Sequence, residues 1–208
     1  MPESVIHDEA VELLKLLLMA WIARSGAAAR VARNLAVRWD ELHPRVGCDP
    51  DVCLLMPPPP DADELTSLRT WLPGHEPPKL AIEVVSETNP HKDYGIAPDK
   101  YAASGTRELW IFDPTLAGPL THGGPFRMQV WERNDAGELV RTYAGDGPCR
   151  STSLGAWLVV REDGRKLRIS DDPDGDALWP TPAEAERTEK ERALARVAEL
   201  EAEIARRK

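Results

Sequence analysis

Two apolar runs, Lys79-Leu80-Ala81-Ile82-Glu83-Val84-Val85-Ser86 and Glu108-Leu109-Trp110-Ile111-Phe112, flank the stretch Thr88 to Gly105, whose second half has helical character. Strand, helix and strand over this distance form a βαβ unit, which requires two parallel strands joined by a right-handed crossover. The first of these strands carries Glu83 in its middle. A charge there is costly unless a metal ion, a cation or hydrogen bonds compensate it.

The remaining elements fit around this unit in an α/β (α+β) order. Residues 4 to 24 carry Ile6, Ala10, Leu13, Leu14, Leu17 and Trp21 at helical spacing and stop at Ser25-Gly26, as a core-facing helix does. Val31 to Trp39 reads as one strand, and Val52 to Met56, after Pro50-Asp51, as another. Pro57 to Pro78 holds seven prolines and little periodicity; it reads either as a functional loop or as a rigid connector over a sheet edge. Phe126 to Arg133 and Leu139 to Ala144 flank Asn134-Asp135-Ala136-Gly137, and Trp157 to Val160 and Lys166 to Ile169 flank Asp163-Gly164. Both pairs read as hairpins.

This pattern divides the chain into a domain at 1–170, an acidic linker at 171–181 and a charged helix at 182–208. Ala193, Val197, Leu200 and Ile204 form an a/d-like seam in that helix. The seam is short for a coiled coil, and pairing of two subunits is one use for it.

A net charge of −9 argues against a surface covered by basic patches and so against tight non-specific nucleic-acid binding over the whole molecule. The arginines between Arg24 and Arg45 read as a solvated face, with a local basic groove as the alternative. Cys48, Cys53 and Cys149 cannot all pair in one chain and lack zinc-site spacing, which suggests structural thiols in a reducing compartment. The longest apolar stretch, Leu13 to Ala23, contains Lys15, is too short to span a bilayer and follows an acidic flank. The expectation is a soluble cytoplasmic protein without membrane association.

Strand alternation puts Asp51, Cys53 and Leu55 on one face, and Ala81, Glu83 and Val85 on one face of the later strand. If these strands are neighbours, Asp51 and Glu83 converge on an oxygen-lined site of the kind magnesium uses. The structural alternative is that Asp51 caps a turn and Glu83 pairs with an arginine.

Pro50-Asp51, Ala81-Ile82-Glu83-Val84-Val85-Ser86, Asp93, Tyr101 with Gly105, and Glu108 to Pro114 together resemble the Uma-two family of restriction endonucleases, in the PD-(D/E)xK nuclease superfamily. The resemblance runs from about His7 to Asp113. It implies a restriction-endonuclease-like fold, a mixed central sheet flanked by helices, with Asp51 and Glu83 as ligands of Mg2+ or Mn2+. Activity is implied by the superfamily more than by the family. The superfamily's lysine, two residues after the acidic strand residue, is here Val85. Members of the family usually take a lysine from the following helix, and that position falls on Ala97. Lys100, near one helical turn away, is the first substitute, and Lys92, beside Asp93, the second. His7 and Glu9 on the first helix are further supporting candidates; Tyr101 reads as a core residue able to hydrogen-bond a phosphate. The expected activity is magnesium-dependent hydrolysis of DNA, with Asp51 and Glu83 on the metal and Lys100 assisting the water. The alternative is a catalytically silent relative acting as a dimeric binding or scaffold module.

Overall fold

The computed structural model describes residues 4–207. Helix α1 (Val5–Ser25) begins where the Ser4 hydroxyl accepts the His7 N–H and ends at Gly26, whose φ of +66° suits a glycine. Its buried residues Ala10, Val11, Leu14, Leu17 and Leu18 follow the helical repeat that defines one apolar face. Next come β1 (Arg30–Arg33), β2 (Ala36–Arg38), β3 (Gly47–Cys48), β4 (Val52–Leu55) and β5 (Ser67–Arg69). They are followed by β6 (Leu80–Val84), a π-helical turn (Lys92–Ile96), α2 (Ala97–Ser104) and β7 (Glu108–Phe112). The chain closes with β8 (Met128–Arg133), β9 (Leu139–Gly145), β10 (Cys149–Ser151), β11 (Ala156–Arg161), β12 (Lys166–Ser170) and α3 (Pro182–Arg206).

The central sheet has the order β1-β4-β6-β7-β8-β9, and smaller sheets have the orders β10-β11-β12 and β3-β2-β5. Strands β6 and β7 are parallel, as the βαβ pattern requires, while every other pair in the central sheet is antiparallel. The architecture is α/β, with mixed sheets flanked by helices. Strand alternation sorts the core into two layers. Val52, Leu54, Leu80, Ile82 and Val84 meet α1 and the last sheet, whereas Cys53, Leu55, Ala81 and Val85 meet Tyr94, Ala97 and Tyr101. All three cysteines are free and buried. Among the described residues, no helix is long and apolar enough to cross a membrane.

Three segments depart from the sequence reading. Val31 to Trp39 is two strands, because Asn34 takes a φ of +47° that asparagine tolerates better than most residues; β1 pairs with β4 and β2 with β3 and β5. The proline-rich stretch supplies β5, which runs parallel to β2 at the edge of its sheet.

The segment from Asp171 to Thr181, read as a linker, is folded against the body. The Asp172 carboxylate accepts the N–H groups of Gly175, Asp176 and Ala177, and the Trp179 N–H donates to the Ile169 carbonyl. The Trp179 indole, 4% exposed, joins the α1 core. A capping box between Thr181 and Glu184 then starts α3. Arg168 bonds both Glu184 oxygens, and these bonds hold that carboxyl down at about 2. Trp179→Ala is expected to lower the unfolding free energy by about 3–5 kcal/mol, measured by urea denaturation.

Candidate functional site

The β4–β6 register pairs Val52 with Ile82, so Asp51, one residue before β4, lies beside the Glu83–Val84 end of β6. The Val84 N–H donates to Asp51 Oδ2 at 2.7 Å. From the first turn of α1, the buried His7 brings its Nε2 to 3.4 Å from the same oxygen. The N-terminal part of α1 thus reaches the site through His7. Glu9 lies elsewhere, in a surface groove with Lys166, Arg168 and Glu184.

Glu83, 1% exposed, points to the opposite side of the sheet from α1, toward α2. Tyr101 donates its hydroxyl to Glu83 Oε1 at 2.6 Å. Among the described residues, Glu83 Oε2 is buried without a hydrogen-bond partner, as is Oδ1 of Asp93. Lys92 Nζ stands 3.5 Å from the first of these oxygens and 3.7 Å from the second. Lys92 and Asp93 both belong to the π-helical turn, in which the Ala97 N–H bonds the Lys92 carbonyl. Pro98 then occupies the first turn of α2, where its missing N–H costs nothing. Asp93 is thus placed before α2, as the position of Pro98 suggests.

Lys100 lines a cavity of about 50 Å³ with Cys48, Asp49, Glu83, Lys92 and Tyr101. Among the described residues its ammonium forms no ion pair, while Lys92 pairs with Glu83 and Asp93. The sequence patterns ranked Lys100 ahead of Lys92, whereas it is Lys92 whose ammonium pairs with Glu83, and they did not indicate that Cys48 lines the cavity. The pairing of His7 with Asp51 was also invisible, because no local spacing links a helix N-terminus to a strand this distant. The arginines read as a solvated face are largely matched by acids: Arg30 with Asp63, Arg33 with Glu12 and Arg38 with Asp49.

Burial, followed by the Asp51 charge, pushes the Glu83 carboxyl up to about 8; Lys92 and Tyr101 act in the opposite sense. Burial likewise raises Asp93 to about 6, opposed by Lys92. The Lys92 ammonium is desolvated, yet Glu83, Asp93 and Asp51 hold it above the ordinary lysine range. Burial and the nearby Glu83 push the Cys48 thiol up to about 12, so it stays protonated. Among the described residues, no three His, Cys, Asp or Glu side chains are arranged to hold a metal ion by themselves.

The model of a family described as Uma2, putative restriction endonuclease, matches residues 1–118. The chain belongs to the Uma2 family. The match takes in α1, β4, β6, α2 and β7, the Uma2 segment that carries every residue discussed above except the partners on β12 and α3. Among solved structures, the crystal structure of a putative nuclease belonging to DUF820, from Anabaena variabilis ATCC 29413, shares 14% sequence identity. The alignment covers 74% of this chain and 76% of that one, with a TM-score of 0.50, a likeness of fold alone. No curated protein matches the chain.

The raised carboxyl groups fix the sign of a pH dependence. Between its unfolded value near 4.5 and about 8, Glu83 binds more protons in the native than in the unfolded state, so stability falls as pH rises through that window. Asp93 acts in the same direction at lower pH. In chelator, the unfolding free energy is expected to drop by about 2–4 kcal/mol from pH 5 to pH 8, and Glu83→Gln should flatten most of that slope in urea titrations.

Proposed function

We propose that the chain is a magnesium-dependent endonuclease-like hydrolase acting on DNA phosphodiester bonds, built on a restriction-endonuclease-like core. The observation that carries this reading is the pair of carboxylates, Asp51 and Glu83, brought together from adjacent strands, with Glu83 Oε2 buried and lacking a hydrogen-bond partner. Hard carboxylate oxygens are the donors magnesium takes, and it needs only one or two of them when waters and phosphate oxygens complete its shell. The residues therefore fit the ion. Asp51 and Glu83 would hold it, and when bound it supplies charge neutralisation at the phosphodiester and a more acidic water.

The chain's own groups divide the remaining tasks. Tyr101 fixes the Glu83 carboxylate through Oε1, which leaves Oε2, faced by the Lys92 ammonium at 3.5 Å, as the ligand atom. His7 and the Val84 N–H orient Asp51 through Oδ2. Lys100, lining the cavity without an ion pair among the described residues, orients the attacking water and faces the negative charge that develops in the transition state. Family membership supports a nuclease but not the choice of substrate, which rests on the superfamily's chemistry.

Mixed DNA substrates titrated with Mg2+ and Mn2+ test the reading. Cleavage is expected in the wild type and its loss in Glu83→Ala, with Lys100→Ala reduced by about 10²–10⁴-fold. Metal-independent cleavage, or cleavage unchanged in Glu83→Ala, would refute it.

A second reading, a catalytically silent module that works as a dimer, is favoured by one observation. Helix α3 carries Leu194 and Val197 at 60% and 51% exposure, with Leu200 and Ile204 also exposed. Two such seams packed together would bury these side chains. Sedimentation should then show a concentration-dependent dimer in the wild type and a monomer for the Val197→Glu/Leu200→Glu variant; a wild type that stays monomeric excludes it.

A further inference from the structure

Around Glu83 and Asp93, two oxygens with no hydrogen-bond partner face one ammonium. Glu83 Oε2 and Asp93 Oδ1 are both buried, in residues 1% and 3% exposed, and Lys92 Nζ lies within 4 Å of each. Asp51 adds a third carboxylate to the same field. Two buried negative groups this close repel one another, and separating either from water is expensive without a counter-charge. Lys92 reaches them from the surface, with 47% of its side chain exposed. Its four-carbon stem can withdraw into solvent with little loss of packing.

We propose that Lys92 is a built-in counter-cation occupying the position beside Glu83 Oε2 that a divalent ion held by Asp51 and Glu83 would take, so that metal uptake and withdrawal of Lys92 are one competitive exchange. The inference rests on the metal-site reading above and adds one element to it: a lysine that opposes loading. The π-helical turn is what makes the exchange geometrically available. Its wider winding sets Lys92 and Asp93, neighbours in sequence, so that the ammonium of one lies by the carboxylate of the other while both face Glu83. Such turns are frequent at functional sites. A divalent ion carries twice the charge of the half-exposed ammonium and so compensates the Glu83 carboxylate better. Lys100, which forms no ion pair among the described residues, stays in place throughout and remains available to the water.

Mn2+ binding, followed by calorimetry in the wild type, Lys92→Met, Lys92→Arg and Glu83→Ala, tests the exchange, with thermal unfolding in chelator as a second readout. Lys92→Met keeps the stem and removes the charge. It is expected to bind Mn2+ on the order of tenfold more tightly than the wild type, and to have a lower Tm in chelator that Mn2+ restores. Lys92→Arg should stay close to the wild type on both measures. Equal or weaker Mn2+ binding by Lys92→Met, in a wild type that binds Mn2+ and loses it in Glu83→Ala, would overturn the exchange and leave the metal site standing. Absence of Mn2+ binding in all four proteins would overturn both.

Discussion

Burying the Glu83 carboxylate inside a central strand costs several kcal/mol after relaxation, and much of the α2 side of the sheet is organised around that cost. Tyr101, fully buried, gives its hydroxyl to one oxygen. Lys92 reaches toward the other from the surface. These partners reduce the penalty without removing it, since the Glu83 carboxyl remains well above its ordinary range. A structural carboxylate can be fully satisfied, as Glu108 shows in the neighbouring strand. There Trp110 Nε1 donates to one oxygen, and the Ser153 N–H and Thr152 hydroxyl donate to the other. Two buried glutamates in adjacent parallel strands thus differ in one respect, whether any acceptor capacity is left over.

The same contrast separates the residues that make up the family-like pattern. Asp113, in the Trp-x-x-Asp-Pro element, accepts the Ala117 and Gly118 N–H groups and the Tyr94 hydroxyl. Tyr94 also accepts the Phe126 N–H, and a Cβ at Gly118 or Gly124 would collide with its ring. This end of the pattern ties the loop after β7 to the π-helical turn and holds the turn in place. Its role is architectural, whereas Glu83 lines the cavity with an oxygen that, among the described residues, accepts no hydrogen bond.

How far the sequence disclosed this depends on how local each signal was. The βαβ unit, both hairpins and the end of α1 at Gly26 were legible, because period and turn chemistry lie within a few residues of one another. The face occupied by Glu83 followed from simple alternation. The split of Val31 to Trp39 was hidden because a single asparagine in a left-handed conformation leaves the apolar pattern nearly continuous. Strands β3, β5 and β10 are two or three residues long and carry no periodicity of their own. The segment 171–181 looked like a linker by composition, yet one tryptophan was enough to anchor it. Within the site, residue types were readable but contacts were not. Choosing between Lys92 and Lys100 depends on the winding of a single turn, and π-helical geometry has no clear compositional mark.

Helix α1 joins two distant parts of the molecule. Its 21 residues make a rod roughly 30 Å long, with His7 near one end against Asp51 and Arg24 at the other stacked over Trp179 at 4.4 Å. Trp179 leads directly into the capped start of α3. The last helix is therefore anchored to α1 at the end away from His7, so that one helix, packed along the central sheet, ties the C-terminal helix and the Asp51 end of the site to a single element.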